Sequence, residues 1–182
     1  IAGIGEGLGA RLAATFAAAG YDIAGLSRSG RMTSAIGTAV REAGGTYTHL
    51  TADLTLEAGV AAAVRPISDR VEVLIHTAHA LLIKSFTETT PQEMEAVWRV
   101  GCLGAMLVAR EVAPAMVARG RGTIILSGAT ASIKGGARFS AFASAKFALR
   151  GFAQALAREL GPQGVHVAHV VLDGLIEEPQ TI

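Results

Sequence analysis

Four glycines, Gly3, Gly5, Gly7 and Gly9, fall at the start of a helical pattern. Glycines at that spacing let the backbone turn sharply and approach a pyrophosphate closely. The helix that follows presents free N–H groups and the positive end of its dipole. A glycine cluster alone also suits a tight structural turn. At the first strand–helix junction of a doubly wound sheet it predicts nucleotide binding. Glu6 lies inside the turn and would repel phosphate if it pointed inward. The next apolar run ends at Ser27 and Arg28, where an acidic residue about 20 positions after the glycines would hold the ribose hydroxyls of NAD. A hydroxyl followed by a guanidinium suits a 2′-phosphate, so NADP(H) is favoured and NAD(H) is the alternative.

Other polar groups gather at later strand ends. His76 and His79 close one apolar run, and Ser127, Thr130 and Ser132 follow another. Strand ends of an open α/β sheet face the cofactor crevice. An imidazole there is suited to acid catalysis near neutral pH. The competing reading has both histidines filling space and bonding to backbone. His76 and His79 have no carboxylate or thiolate partners at ligand spacing, so no metal site is expected. The single Cys102 excludes an intrachain disulfide and fits a reducing, cytoplasmic setting.

Apolar runs over 21–27, 46–52, 71–75, 123–126 and 165–172 read as strands. Helical periods over 8–19, 33–43, 56–68, 91–119 and 139–160 alternate with them. Thr90, Pro91 and Glu93 form a helix start with a capping box. Gly161-Pro162 ends the last long helix. This alternation predicts right-handed crossovers and a doubly wound parallel sheet, apolar on both sides, with helices on both faces.

The 182 residues suit one domain, 1–182, with no linker or repeat. A buried first strand needs about five residues before its glycine turn. The chain opens on Ile1-Ala2-Gly3 and runs only to Ile182 beyond its last apolar strand, so the domain is expected to be incomplete at both ends. Apolar residues make up 51% and charged residues 17%, a composition that buries a core rather than staying disordered. A net charge of +1 without a basic block gives nucleic acid binding no support. No apolar run reaches the roughly 18 residues of a membrane span, and no signal-peptide pattern opens the chain. The alanine-rich helices 91–119 and 139–160 are apolar on more than one side. They are expected to form a homodimer or homotetramer interface, with core packing as the plainer alternative.

In this setting the pattern resembles the classical short-chain dehydrogenase/reductase family, over essentially the whole chain. The family's Gly-x-x-x-Gly-x-Gly turn matches Gly3, Gly7, Leu8 and Gly9, with Ala2 at its usual threonine. The acidic residue that contacts adenine matches Asp53, followed by Leu54. The family's Asn-Asn-Ala-Gly strand end is here His76-Thr77-Ala78-His79, of which Ala78 survives. The resemblance thus implies cofactor contacts at these matched positions, at Ser27 and Arg28, at Ala78 and His79, and at Lys146, a Rossmann-type arrangement. His79 falls where the family's backbone passes the nicotinamide ribose, which makes it the better candidate of the two histidines.

The catalytic segment departs from the family. Tyr-x-x-x-Lys becomes Phe142-Ala143-Ser144-Ala145-Lys146, the serine position 13 residues earlier is Ala129, and the asparagine position is Gly101. The enoyl-reductase variant, Tyr-x-x-x-x-x-x-Lys, would need a tyrosine at Phe139. The chain therefore resembles a divergent subgroup with phenylalanine for tyrosine and the lysine kept. By resemblance, the tyrosine gives the proton, the lysine binds the ribose and lowers the tyrosine pKa, the serine bonds the substrate oxygen, and the asparagine holds a water relay. Loss of a positioned acid typically costs about 10²–10⁴ in rate. Loss of an oxyanion donor costs about another 10² or more, although such penalties do not simply add. The expectation is an NAD(P)-binding oxidoreductase of departed chemistry, acting on an unknown small molecule, with Lys146, His79, Ser127 and Thr130 as its catalytic candidates. The alternatives are a cofactor-binding sensor or partner subunit without turnover, and a purely structural oligomer. The substrate-shaping segment of the family corresponds to Asp173-Gly174-Leu175-Ile176 and the tail.

Overall fold

The computed structural model describes residues 1–31 and 33–174; Leu175, Ile176 and the tail lie outside them. Helices and strands alternate: α1 (Leu8–Ala18), β1 (Ile23–Ser27), α2 (Thr33–Glu42), β2 (Tyr47–Thr51), α3 (Glu57–Val64) and β3 (Val73–His76). There follow α4 (Pro91–Trp98), α5 (Gly104–Arg119), β4 (Gly122–Ala129), α6 (Ser140–Leu160) and β5 (Val165–Leu172).

Strands β1 and β2 pair in parallel, as do β3 with β4 and β4 with β5. Ala2 bridges the two sets, lying parallel to Leu26 on one side and His76 on the other. The lateral order is therefore β2, β1, residues 1–3, β3, β4, β5. Below this bridge, at the N-terminal ends of the strands, a cleft of about 350 Å³ separates β1 from β3, walled by Ile23, Leu26, Leu74, Ile75, Val64 and Val112. It lies at the opposite strand ends from the glycine turn.

Each face of the sheet carries its own core. Ile4, Ala13, Ala17, Ile23, Ile36 and Val40 pack under α1 and α2. Leu74, Val108, Val112, Met116, Ile124, Leu126 and Leu149 pack under α3, α5 and α6. Val97 joins Ala141 and Ala145 between α4 and α6. Strands buried on both faces explain why β3 and β4 read as unbroken apolar runs. The expected doubly wound parallel sheet is the observed one.

Several local expectations need correction. The helix expected over 91–119 starts at the expected capping box, where Glu93 N donates to Thr90 Oγ1 at 3.2 Å and Thr90 N to Glu93 Oε2 at 2.8 Å. A π turn at Arg99–Leu103 then interrupts it. Gly101 and Gly104 bring the backbone close to its neighbours: a Cβ on Gly104 would lie 3.0 Å from Leu54 Cβ, and one on Gly101 would lie 3.4 Å from Ala145 Cβ. Such π bulges often sit at functional sites. By length and composition, the stretch Pro91–Arg119 is the one helix among the described residues apolar enough to cross a membrane. More than half of its most apolar stretch is buried in this fold. The first strand begins at Ile23 rather than at Tyr21, and the helix after Leu56 gives way to a 3-10 turn at Arg65–Arg70, where Pro66 has no N–H to continue the α ladder.

Candidate active site

The glycine turn packs directly against the end of β3. Gly3 has φ +86°, and a Cβ there would come within 2.5 Å of Ala78 Cβ and N. Only glycine meets both demands. Thr77 locks the contact: its N–H donates to Ala2 O at 2.8 Å and its hydroxyl to Gly3 O at 3.0 Å. Helix α1 then begins at Leu8, after Gly7, without a side-chain cap. Its first-turn amides are thus free of any competing side-chain acceptor, as an anion site requires. Glu6 is exposed.

The adenosine end of the expected site lies at the ends of β1 and β2. Ser27 Oγ donates to Ser29 O at 2.8 Å, which shapes the turn that carries exposed Arg28. Asp53 accepts from Thr55 N and Oγ1, both at 2.8 Å. These two bonds, ahead of the nearby Arg28 charge, hold its carboxyl below the usual carboxylate range. Leu54 is buried.

The catalytic segment comes together on the other side of the turn. Lys146 is buried, and its Nζ donates to Ser127 O at 2.8 Å. Burial pulls its pKa down to about 8. Nζ lies 5.6 Å from the Phe142 ring centroid, and the exposed His79 ring meets Phe142 edge-on at 6.1 Å. His79 Nδ1 lies 3.3 Å from Thr77 O. Ser127 takes part through its backbone carbonyl. Thr130 donates to Asp173 Oδ1 at 2.5 Å, which ties the β4 end to the β5 end. Thus Lys146 and His79 lie against Phe142, Ser127 meets Lys146 through its carbonyl, and Thr130 is turned to Asp173.

Three residues matter here that the sequence did not single out for these roles. Thr77 locks the glycine turn. Ser132, fully buried, accepts from Ala129 N at 3.0 Å. His169 of β5 lies over Gly128, where a Cβ would come within 2.2 Å of its ring and 2.9 Å of Ser132 Oγ. Burial, then Lys146 and Arg150, lower the His169 pKa. A glycine inside a strand is the signal that could have found it, since it marks the close approach of another group. His76 is fully buried with both ring nitrogens unpartnered among the described residues. Its pKa is pushed down to about 3, by burial first and then by Lys146 and His79, so it is a neutral ring at ordinary pH. The described residues hold no cluster of three metal-ligating side chains.

The family model for short chain dehydrogenases matches residues 1–177. The chain is 32% identical to the short-chain reductase protein NovJ of Streptomyces niveus, over 98% of this chain and 69% of that protein. It spans 66%, 69% and 51% of the length of three curated relatives that it matches. A crystal structure of a short-chain dehydrogenase from Rhodopseudomonas palustris superposes with TM-score 0.87 at 38% identity, covering 93% of this chain and 82% of that one. A metagenomic short-chain oxidoreductase in complex with NADP gives TM-score 0.88 at 26% identity, covering 93% and 80%. Sequence, strand order and glycine turn agree: this chain belongs to the short-chain dehydrogenase/reductase family.

Proposed function

We propose that the protein is an NADP(H)-favouring oxidoreductase that moves hydride without a phenolic acid. The observation that carries this reading is the pairing of a glycine turn built for close approach with a buried Lys146 that faces Phe142 instead of a tyrosine. A nicotinamide cofactor supplies or accepts the hydride when bound. Gly3, Gly7, Leu8 and Gly9 would hold its pyrophosphate, Asp53 and Leu54 its adenine end, Ser27 and Arg28 its 2′-phosphate, and Ala78, His79 and Lys146 its nicotinamide ribose. The NADP complex of the metagenomic relative supports that fit.

Proton supply falls to His79 and Lys146. His79 is exposed beside Phe142, and the lowered Lys146 pKa makes its proton easier to release near neutrality. Substrates that need little acid assistance, such as activated double bonds or protonated imines, fit this site best. We also infer self-association through 91–119 and 139–160, where Trp98 and Phe147 remain exposed. The second reading, a cofactor-binding sensor or partner subunit without turnover, is favoured by the joint replacement of tyrosine, serine and asparagine by Phe142, Ala129 and Gly101.

Titration with NADPH and then NADH, read by nicotinamide fluorescence, tests the cofactor. Micromolar binding with NADPH preferred supports the reading. Turnover across carbonyls, enones and imines separates the two functions: steady nicotinamide oxidation rejects the sensor, and silence across the panel rejects the reductase.

A further inference from the structure

The chain leaving β3 alternates in exposure beyond Ala78. His79, Leu81 and Ile83 are exposed, while Ala80, Leu82 and Lys84 between them are half-buried. Ala80 and Leu82 pack against Val97, Ala141 and Ala145, between α4 and α6. A period of two puts His79, Leu81 and Ile83 on one outward face. Leu81 is 54% exposed and Ile83 49%. Single exposed apolar side chains are common. These two continue a line that starts at His79, whose ring meets Phe142.

The far end of that line is tied to Arg138, since Lys84 N donates to Arg138 O at 2.9 Å. Arg138 has φ +69° and is the one non-glycine residue with positive φ among the described residues. It sits in a turn closed by Phe139 N donating to Gly136 O at 3.2 Å, just before α6. Glycine suits that backbone better, so arginine occupies it at a cost. Residues held this way cluster at active sites and ligand clamps. The Arg138 side chain is exposed and has no partner among the described residues. The acids of the surrounding loops are engaged elsewhere. Glu93 holds Lys84 at 2.8 Å, Glu88 accepts from Ser85, and Asp173 accepts from Thr130.

We propose that the substrate is an apolar carboxylic acid whose carboxylate is held by Arg138. Its body lies along Leu81 and Ile83, and its reacting end reaches His79 and Phe142. Placing that end rests on the oxidoreductase reading above. The planar guanidinium fork matches a carboxylate with two parallel hydrogen bonds. Four residues of chain from His79 to Ile83 span at most about 14 Å, so a medium-length apolar body separates the reacting carbon from the carboxylate. Arg138 is thereby a specificity-determining residue.

The test is calorimetric titration of the whole protein and its variants with decanoate and with decanol. Turnover with NADPH is measured beside it, on straight-chain acids ending in an enone and on their methyl esters. Decanoate is expected to bind about fivefold or more tighter than decanol, by a margin that shrinks as salt is raised. Arg138→Gly should erase the margin without lowering the melting temperature, because glycine accepts φ +69°. Arg138→Lys, which keeps the charge and loses the fork, should retain part of it. Ile83→Ser should weaken both ligands alike. Equal binding of acid and alcohol by the parent overturns the proposal, as does a margin that survives Arg138→Gly. Ligands indifferent to both Leu81→Ser and Ile83→Ser overturn the apolar path. Acid binding that depends on Arg138 without turnover of any enone sustains this site and rejects the reductase. Turnover that is equal for acids and esters rejects this site and leaves the reductase standing.

Discussion

Lys146 Nζ donates to the Ser127 carbonyl at 2.8 Å and lies 5.6 Å from the centre of the Phe142 ring. The lysine thus keeps its backbone anchor on β4 although the residue one helical turn earlier has no hydroxyl. A buried ammonium is tolerated when its protons find acceptors and an aromatic face lies near. Family membership explains why the lysine is there. The phenylalanine decides what the lysine can do.

Restoring the missing groups should therefore restore the family's usual chemistry. Phe142→Tyr with Ala129→Ser is expected to raise NADPH-dependent ketone reduction by about 10² or more over the parent chain. Each single variant should gain less, because groups that act as a unit are not additive. Initial rates of NADPH oxidation over a ketone panel measure this. A double variant as slow as its parent would show that the surrounding cleft has also changed.

The glycine turn makes a sharper structural prediction. Gly3 has φ +86° and no room for a Cβ against Ala78, whereas Gly5 has nothing within 4 Å of its ideal Cβ. Gly3→Ala should destabilise the fold by at least about 2 kcal/mol, through the left-handed backbone and the clash together. It should also abolish measurable nucleotide binding. Gly5→Ala should stay within about 0.5 kcal/mol of the parent. Thermal unfolding followed by circular dichroism compares them, and equal effects would disprove the assignment of the contact.

These two cases show what could be read from sequence. The glycine spacing, the register of Lys146 with Phe142 and the alternating apolar runs are local patterns, so their positions follow from sequence alone. His169 and Gly128 are 41 positions apart and meet only because β4 and β5 pair. The lock from Thr77 to Gly3 spans 74 positions. The π turn at Arg99–Leu103 breaks a helical period that carries no proline there, so periodicity predicted one unbroken helix. Just after it Gly104 approaches Leu54 closely, a tertiary contact that no local period encodes.

Burial of Lys146 makes stability depend on alkaline pH. Its pKa falls from 10.5 to about 8 in the fold. Between those values the unfolded chain binds the proton and the folded chain does not, so stability rises as pH increases from about 8 toward 10. The full penalty, about 3 kcal/mol, is present below pH 8. Lys146→Met should be more stable than the parent at pH 7 and lose this rise. Urea unfolding at pH 7.0, 8.5 and 9.5 reads the slope; parallel curves for the two proteins would reject the buried charge.

The acid limb belongs to His76. Its ring is fully buried and its pKa is lowered from 6.5 to about 3, chiefly by burial. Between those values the unfolded chain takes up a proton that the folded chain refuses, so stability falls as pH drops below 6.5 and the loss is complete near 3. The contribution is at most about 5 kcal/mol. His76→Asn cannot titrate there. It should flatten the stability curve between pH 6.5 and 4. Urea unfolding across that range, together with the imidazole resonances of the parent, measures both sides. A His76 resonance that titrates near 6.5 in the folded protein would show that the ring is reached by water, and the acid sensitivity would then have to come from the carboxylates, of which Asp22, Asp53 and Glu93 are held in the ionised form by their hydrogen bonds.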